Sequence, residues 1–345
     1  MIPIQNIYYM LSYAFQVLNE QGYKNIATEQ FNNTGELLAA ILEKGIAIQL
    51  KRGLGKEYIL QTEALSSLRG KIDIAESIKT QSMLRKQLIC TYDEFSVNSI
   101  MNRIIKSTVE LLLRSNISKQ RKKNLRKLMV YFSEVDFIDL YTVNWNVQYN
   151  RNNQTYRMLI SICYLVVKGL LQTQSNGHTK LMDFLDEQRM CRLYEKFILE
   201  YYRKEFKNQF TANASQIPWQ LDNEENSMLP VMQSDIMLQS GEKVLIIDAK
   251  YYEHSTQVQF DKHTLHSGNL YQIFTYVKNK EYELREKNHT VSGMLLYAKT
   301  DEEIYPNNVY QMSGNQITVR TLDLNLPFDE IAGQLNTIAK THFDL

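Results

Sequence analysis

Two carboxylates and a lysine lie within or beside two short apolar segments near the middle of the second half of the chain. Asp235 belongs to the first segment, VMQSDIML, and Asp248 and Lys250 belong to the second, KVLIIDAKYY. Unpaired charge among apolar residues is costly, so these side chains need partners. Two neighbouring carboxylates repel unless a positive charge lies between them, and Mg²⁺ prefers oxygen ligands of this kind. The expected chemistry is a metal that polarises a phosphodiester, with a lysine that orients the attacking water.

The two segments flank a turn, SGEK, and are predicted to pair as an antiparallel hairpin. Asp248 and Lys250 are two residues apart and therefore project from one face of their strand. A two-residue loop at Ser240–Gly241 puts Asp235 diagonal to Asp248 on that face, and a four-residue loop puts the two aspartates directly opposite. A three-residue loop puts Asp235 on the other face. Spacing alone also fits aspartates that end strands and make ordinary salt bridges.

Helices on both sides of the hairpin carry further candidates. Glu195, in LYEKF before the hairpin, is either a third carboxylate directed at the metal or a solvated helix residue. Gln272 and Tyr276, in NLYQIFTY after the hairpin, are four residues apart and share one helix face. They are predicted either to hydrogen-bond DNA phosphate or the lysine, or to pack a helix end on the core.

The order of elements indicates two domains, 1–150 and 151–345. The first is predicted to be α+β, with helices and inserted β-hairpins; one hairpin is expected to turn at Gly53–Gly55 and a strand is expected at Lys71–Ile74. The second is predicted to be α/β with a mixed central sheet. Its predicted elements are a helix from Tyr156, a helix over about Phe184–Phe206, the hairpin, a helix over Asn269–Lys280, strands over Gly293–Ala298 and Gln316–Leu324, and a closing helix from Phe328.

Composition narrows the class of protein. The chain has 345 residues, is 44% hydrophobic and carries a net charge of +1, so no overall charge draws it to nucleic acid or membrane. The cysteines Cys90, Cys163 and Cys191 are far apart and form no CxxC pair, which suits a reducing cytoplasm. The most apolar run, MLISICYLVV, is too short to span a bilayer. We therefore expect a soluble, cytoplasmic protein.

Several blocks in the same order resemble the McrC family, the nuclease subunit of the McrBC system that restricts DNA containing modified cytosine. They are IPIQNIYYMLSYAF, LKRGL, LRGKI, NRIIKST, QSDI, VLIIDAKYY and HSGNLYQ. The resemblance implies a PD-(D/E)xK nuclease core in which Asp235, Asp248 and the backbone carbonyl of Ala249 hold Mg²⁺ and Lys250 is the catalytic lysine. Glu195 would be the acid of the first helix. One departure is that Ser234, and not proline, precedes Asp235, the nearest upstream proline being Pro230.

The resemblance also implies partners. McrC-like proteins bind a hexameric AAA+ GTPase, McrB, which recognises double-stranded DNA with modified cytosine and is stimulated by the first domain. GTP would be bound by that partner, because Gly53–Lys56 lacks the spacing of a phosphate-binding loop. An alternative is a non-catalytic activator of the ring with an idle nuclease domain, and a third hypothesis is a self-contained repair nuclease. No helix-turn-helix or finger is visible, so target choice is expected to belong to the partner.

A basic segment remains outside these assignments. Residues Arg114 to Leu128 include seven lysines and arginines among fifteen positions. Such a run either follows a DNA backbone, with salt-sensitive affinity, or forms a solvated helix face.

Overall fold

The structure, a computed structural model, describes residues 2–19, 23, 26, 29, 31, 33–150, 153–175, 187–222, 228–252, 257–259, 262–299 and 305–345. The helices of this part of the chain are α1 (Ile4–Ala14), α2 (Thr34–Arg52), α3 (Ile74–Lys79), α4 (Ile100–Arg114), α5 (Lys119–Met129), α6 (Tyr156–Ser175), α7 (Glu187–Glu205), α8 (Ser267–Glu283) and α9 (Phe328–Phe343). The strands are β1 (Glu57–Leu65), β2 (Lys71–Asp73), β3 (Leu88–Ser96), β4 (Thr211–Asn213), β5 (Gln216–Ile217), β6 (Met232–Gln233), β7 (Ile236–Ser240), β8 (Lys243–Lys250), β9 (Gln257–Gln259), β10 (Lys262–Thr264), β11 (Thr290–Ala298), β12 (Asn308–Met312) and β13 (Asn315–Leu322).

The helices and strands predicted for the second half of the chain are confirmed within one to three residues at most ends. The start of the helix predicted from Phe184 is an exception, because residues 184–186 lie outside the described residues.

The chain forms two compact units. One, the terminal unit, combines Met1–Glu20 with Leu185–Leu345, and the other, the middle unit, is Gln21–Phe184. These divisions differ from the boundary predicted near residue 150. Helix α1 joins the terminal unit because it packs on α7, and because Asn6 donates side-chain hydrogen bonds of 2.8 Å to the carbonyls of Leu324 and Leu326. Helix α6 belongs to the middle unit because it packs on α2 and α4.

In the middle unit, the hairpin expected at Gly53–Gly55 is wrong. Residues 47–52 are instead the last turns of α2. The side chain of Asn33 caps the start of this helix by accepting a hydrogen bond from the Glu36 N–H, and Gly53, with a φ of 91°, caps its end. A positive φ is readily adopted by glycine, which is why the helix stops there. Strand β1 instead pairs antiparallel with β3, which also pairs with β2. The strand expected from Lys71 is confirmed.

A buried hydrogen-bond network fixes the loop between α2 and β1. The Tyr156 hydroxyl accepts from the Gly55 N–H at 2.7 Å and donates to Asn102 Oδ1 at 2.8 Å. The Asn102 amide donates in turn to the carbonyls of Gly55 and Val97. Buried polar groups that satisfy one another in this way specify one loop conformation.

The terminal unit contains a six-stranded sheet in the order β12-β13-β11-β8-β7-β4. Strand β11 runs parallel to β8 and β13, and the other pairs are antiparallel. The predicted mixed central sheet is therefore confirmed. Strand β8 lies between two neighbours and is buried from Val244 to Ala249, as expected for an apolar run covered on both faces.

Helix α8 covers the face of the sheet from which Val244 and Ile246 project, where Ile273 and Val277 join the apolar core. Gly293 on β11 permits this close approach, because a Cβ atom there would lie 2.8 Å from Ile273 Cγ1 and 2.9 Å from Val277 Cγ2. The close packing sets the height of α8 above β8, and so the positions of the polar residues at its N-terminal end.

Candidate active site

The turn of the hairpin sets the register of the two aspartates. Ser240 pairs with Lys243 and Ile236 with Ile247, so the loop is Gly241–Glu242 and Asp235 continues the register directly opposite Asp248. Gly241 has a φ of +56°, which suits the first central position of a two-residue hairpin turn. The arrangement predicted for a four-residue loop, with Asp235 and Asp248 facing each other, is thus obtained with a loop of two residues. The reason is that Ser240 pairs with Lys243 and so belongs to the strand and not to the turn.

Asp248 and Lys250 form an ion pair on the face covered by α8. Lys250 Nζ lies 2.9 Å from Asp248 Oδ2 and 3.0 Å from Oδ1, and it donates its hydrogen bond to Oδ1. Asp248 is 1% exposed, and its Oδ2 atom accepts no hydrogen bond from the described residues. Burial lowers the pKa of Lys250, but the carboxylate of Asp248 outweighs burial and raises that pKa above its ordinary value. Lys250 is therefore a cation, and its ammonium group lies against both oxygens of the buried carboxylate.

Asp235 lies at the bend between β6 and β7. Its Oδ2 atom accepts the Ala249 N–H at 3.0 Å. Ser234 holds the bend, because its N–H donates to the Ser215 carbonyl at 3.0 Å and its hydroxyl donates to the same carbonyl at 3.2 Å. Proline has no N–H to make the first of these bonds, so serine at this position has a structural reason.

Burial, together with the neighbouring carboxylates of Asp248 and Glu195, raises the pKa of Asp235 to about 8. The two carboxyl groups are thus close enough to interact, and with both of them ionised their negative charge would exceed the single positive charge of Lys250.

Gln272 and Tyr276 connect the ion pair to α8. Lys250 Nζ donates to Gln272 Oε1 at 3.4 Å, and Gln272 Nε2 donates to the Tyr276 hydroxyl at 2.9 Å. Gln272 thus makes the predicted contact with the lysine, whereas Tyr276 is buried in the apolar core, as the alternative prediction had it. The result is a continuous chain of contacts from Tyr276 through Gln272 and Lys250 to Asp248.

Glu195 lies near the same carboxylates but is turned toward a cysteine. Its Oε1 atom accepts a hydrogen bond from the Cys191 thiol at 3.0 Å, and Cys191 Sγ also lies 3.9 Å from the Ala249 carbonyl oxygen. Burial raises the pKa of Glu195, while Cys191 and Lys250 act in the opposite direction. Burial and Glu195 raise the pKa of the Cys191 thiol to about 12, so the thiol keeps its proton and donates.

The donor set fits Mg²⁺ with few protein ligands. Among the described residues, no group of three or more His, Cys, Asp or Glu side chains is arranged to hold a metal, so Glu195 is not part of such a group. Two carboxylates remain, Asp235 and Asp248, and the second is buried and paired with Lys250. Mg²⁺ keeps several waters and is commonly bound by one or two carboxylates together with substrate phosphate, so this pair meets its requirement.

A cleft of about 380 Å³ adjoins the carboxylates, with Glu195, Asp235, Gln233 and Ser234 in its lining. Arg192 and Lys196 from α7 line it as well. They lie on the helix face that carries Glu195, since the three are spaced i, i+3 and i+4. Two cationic side chains therefore share this cleft with the carboxyl groups of Asp235 and Glu195.

The structure thus brings together Asp235, Asp248, Lys250, Gln272 and Tyr276, and it places Glu195 on the adjoining cleft. Sequence reasoning missed Cys191, Arg192 and Lys196. The helical spacing of these residues around Glu195 was a signal that could have identified them. The catalytic and metal-binding roles of the site residues stay predictions.

The fold and the site together define an α+β protein whose mixed sheet carries paired carboxylates and a lysine. The family model for the McrBC 5-methylcytosine restriction system component matches residues 5–298. The chain is also 30% identical over 330 residues to the Type IV methyl-directed restriction enzyme EcoKMcrBC of Escherichia coli K12, covering 94% of this chain and 93% of the relative. The chain belongs to the McrBC 5-methylcytosine restriction system component family.

Two solved structures are also similar. A half-complex of Thermococcus gammatolerans McrB AAA+ hexamers with bound McrC matches at 18% identity and a TM-score of 0.47, covering 97% of this chain and 76% of that one. The T. gammatolerans McrBC complex matches at 21% identity and a TM-score of 0.42, covering 59% of each chain. No described helix combines the length and apolar character needed to cross a bilayer.

Proposed function

We propose that this chain is the Mg²⁺-dependent endodeoxyribonuclease subunit of a GTP-driven restriction complex directed at methylcytosine, and that its terminal unit is a PD-(D/E)xK nuclease domain. The observation that carries the proposal is the buried carboxylate of Asp248, ion-paired with Lys250 and close enough to Asp235 to raise the pKa of its carboxyl group. Two such carboxylates beside one lysine repel each other when both are ionised, which is destabilising on its own. The presence of this pair is explained if a divalent cation binds there during function.

Asp235, Asp248 and the Ala249 carbonyl would hold the ion. A bound Mg²⁺ would polarise the phosphodiester and lower the pKa of a bound water. Lys250 supplies a fixed positive charge 2.9 Å from Asp248, placed to orient the attacking water and to stabilise charge that develops on the phosphate. Gln272 and Tyr276 limit the rotamers of Lys250 through their hydrogen bonds, which keeps its Nζ atom in position.

The adjoining cleft is the proposed site for the DNA strand. Arg192 and Lys196 line it beside Asp235, and cations of this kind bind phosphate oxygens and fix the register of a nucleic acid without reading its sequence. In this arrangement the strand backbone follows α7, and the carboxylates reach one phosphodiester.

The middle unit is proposed to bind a hexameric AAA+ GTPase and to stimulate it, with GTP bound by that partner. Exposed apolar side chains on the β1–β3 pair support the assignment: Tyr58 is 75% exposed, Leu60 68% and Phe95 55%, and the rings of Tyr58 and Phe95 lie 5.0 Å apart. Neighbouring exposed apolar side chains of this kind are typical of interaction sites. The solved relatives are described as AAA+ hexamers of McrB with bound McrC, which is the type of partner proposed here. Recognition of double-stranded DNA with modified cytosine is assigned to that partner.

The test is to purify the chain with its AAA+ partner and to compare wild type with Asp248→Ala and the near-isosteric Asp248→Asn. We expect cleavage of methylated DNA to be lost in both variants, because the ion loses a ligand, while stimulation of GTP hydrolysis survives. Asp329→Ala, which removes an exposed carboxylate from α9 of the same unit, is the matched control and should cut normally.

Each departure from that result identifies a different error. Cutting by the Asp248 variants would refute the site. Absence of cutting by wild type, with GTPase stimulation intact, would favour the non-catalytic activator. Cutting by wild type without partner or nucleotide would favour a self-contained nuclease.

A further inference from the structure

Helix α5 in the middle unit has an unusual composition for a surface helix. Six of its eleven residues, KQRKKNLRKLM, are basic and none is acidic. Surface helices usually mix the two signs of charge, since opposite charges at i, i+4 stabilise a helix and like charges destabilise it. This composition therefore destabilises the helix. The positions of the six cations show which of them have acidic partners.

The inward face of α5 is electrically balanced. Arg121 bonds to Glu43 at 2.9 Å and to Glu36 at 3.3 Å, and it also pairs with Glu29. Asn124 donates to Glu43 at 2.9 Å. The three glutamates that form salt bridges with α5 therefore all pair with Arg121, on its inward face.

The outward face is not balanced. It consists of the other five cations, which are exposed or half-buried and form no salt bridge with any residue that the structure describes: Lys119, Lys122, Lys123, Arg126 and Lys127. Their spacing creates like-charge neighbours at i, i+3 and i, i+4 along the whole helix, each of which destabilises it. Lys119 and Lys122 also lie in the first turn, where the helix dipole disfavours cations. A polyanion bound to this face would relieve all of these repulsions together.

The dimensions and the residue types favour a nucleic acid backbone over an acidic protein. From Lys119 to Lys127 the helix rises about 12 Å at roughly 1.5 Å per residue, and duplex DNA carries about one charge per 1.7 Å of axis. Several phosphates therefore face this surface at once. Lysine is depleted at protein–protein interfaces, whereas lysine and arginine make most phosphate contacts. Tyr131, 67% exposed just beyond the helix, adds a hydroxyl that can donate to phosphate.

We propose that the outward face of α5 is a second DNA-binding surface, which contacts the phosphate backbone of duplex DNA independently of sequence and of cytosine modification. It lies in the middle unit, whereas the candidate cleavage site lies in the terminal unit. The inference requires no nuclease chemistry, so it stands or falls separately from the proposed function.

The experiment measures binding of the full chain, in EDTA, to a fluorescently labelled 30-base-pair unmodified duplex by anisotropy between 50 and 200 mM salt. The variant is Lys123→Ala/Arg126→Ala/Lys127→Ala. The matched control, Lys207→Ala/Lys287→Ala/Lys340→Ala, removes three exposed lysines from the terminal unit and so makes the same change in net charge. Losing three phosphate contacts should reduce the slope of log K against log salt by about 2.7, at roughly 0.9 per contact. We expect at least a tenfold loss of affinity at 50 mM salt for the α5 variant and less than a twofold loss for the control.

Two further measurements keep the result interpretable. Thermal unfolding verifies that the triple variant is folded, and Lys123→Arg/Lys127→Arg should bind as wild type does because the charge is kept. Equal affinity of the triple variant and the control would overturn the proposal, and so would a wild-type chain that does not bind the duplex at 50 mM salt. A variant that binds DNA normally but no longer stimulates the GTPase partner would assign the surface to a protein and would also overturn it.

Discussion

Replacing Asp235 by asparagine tests whether the site stores repulsion that a cation relieves. Asparagine keeps the shape and an oxygen that can accept the Ala249 N–H, now 3.0 Å from Asp235 Oδ2. It removes the charge that faces Asp248. We therefore expect Asp235→Asn to stabilise the metal-free protein and to abolish DNA cleavage, which is the trade-off seen where a site is built for function.

The magnitude follows from the pKa of Asp235, which burial and the nearby carboxylates raise from 3.8 to about 8. At pH 7 the unfolded carboxyl group is ionised and the folded one is protonated, so the group costs the fold on the order of 4 kcal/mol, at about 1.4 kcal/mol per pKa unit. For an acid whose pKa is raised by folding, the cost is absent below 3.8 and grows until the pH reaches about 8. The gain from Asp235→Asn should therefore increase between pH 4 and pH 8. Because the contact can relax, we expect a gain of at least about 1 kcal/mol at pH 7.5.

The assay is urea unfolding of wild type and Asp235→Asn in EDTA at several pH values, repeated with Mg²⁺. An ion at ten times its dissociation constant stabilises the protein that binds it by about 1.4 kcal/mol, and this increment should occur in wild type only. Asp329→Asn, on the exposed start of α9, is the control and should behave as wild type does. If Asp235→Asn were less stable than wild type in EDTA at pH 7.5, the argument from carboxylate repulsion would be refuted.

Three other substitutions test the elements that support the site and the fold. Gly293→Ala should cost about 1–3 kcal/mol by overpacking and should reduce the cleavage rate more than DNA affinity, because α8 and Gln272 are pushed away from β8; a variant with unchanged rate and stability in parallel assays would contradict this. Tyr156→Phe leaves the half-buried Gly55 N–H without its acceptor and the buried Asn102 Oδ1 without its donor, and should lower the free energy of unfolding by about 1–3 kcal/mol in urea titrations; an unchanged value would mean that water replaces the hydroxyl. Burial lowers the pKa of His342 below 6.5, so the fold favours the neutral imidazole. The stability that depends on this neutral form is complete above pH 6.5 and is lost as the pH falls further. His342→Gln should therefore lose less stability than wild type between pH 7.5 and 5.5 in chemical denaturation.

The site was more predictable from sequence than the chain organisation, for physical reasons. The two-residue period of a strand forces Asp248 and Lys250 to one face whatever the surroundings. The register of Asp235 depended on whether Ser240 belonged to the turn, which spacing alone left open. The pairing of Ser240 with Lys243 is what excludes Ser240 from the loop, and the positive φ of Gly241 fits the first loop position that results.

The errors arise where a pattern is short or a contact is remote. Residues 48–51 alternate in polarity as a strand does, but Ile46 and Gln49 are both buried on α2, and a window of four residues does not separate the two periods. The Cys191–Glu195 hydrogen bond is local and could be anticipated from i, i+4 spacing. The partners of Asn6 lie 318 and 320 residues further along the chain, and no local pattern predicts them.

That long-range contact has a consequence for synthesis. Helix α1 is translated before the other described elements, yet the carbonyls that Asn6 binds in the terminal unit come from Leu324 and Leu326, 318 and 320 residues later, so α1 must wait for them to be synthesised. The middle unit can fold while the ribosome is still at work, as domains generally do during translation. The carboxylate site is consequently completed late, and a nascent chain presents the middle unit, proposed to bind the GTPase, before it has the groups proposed to cut DNA.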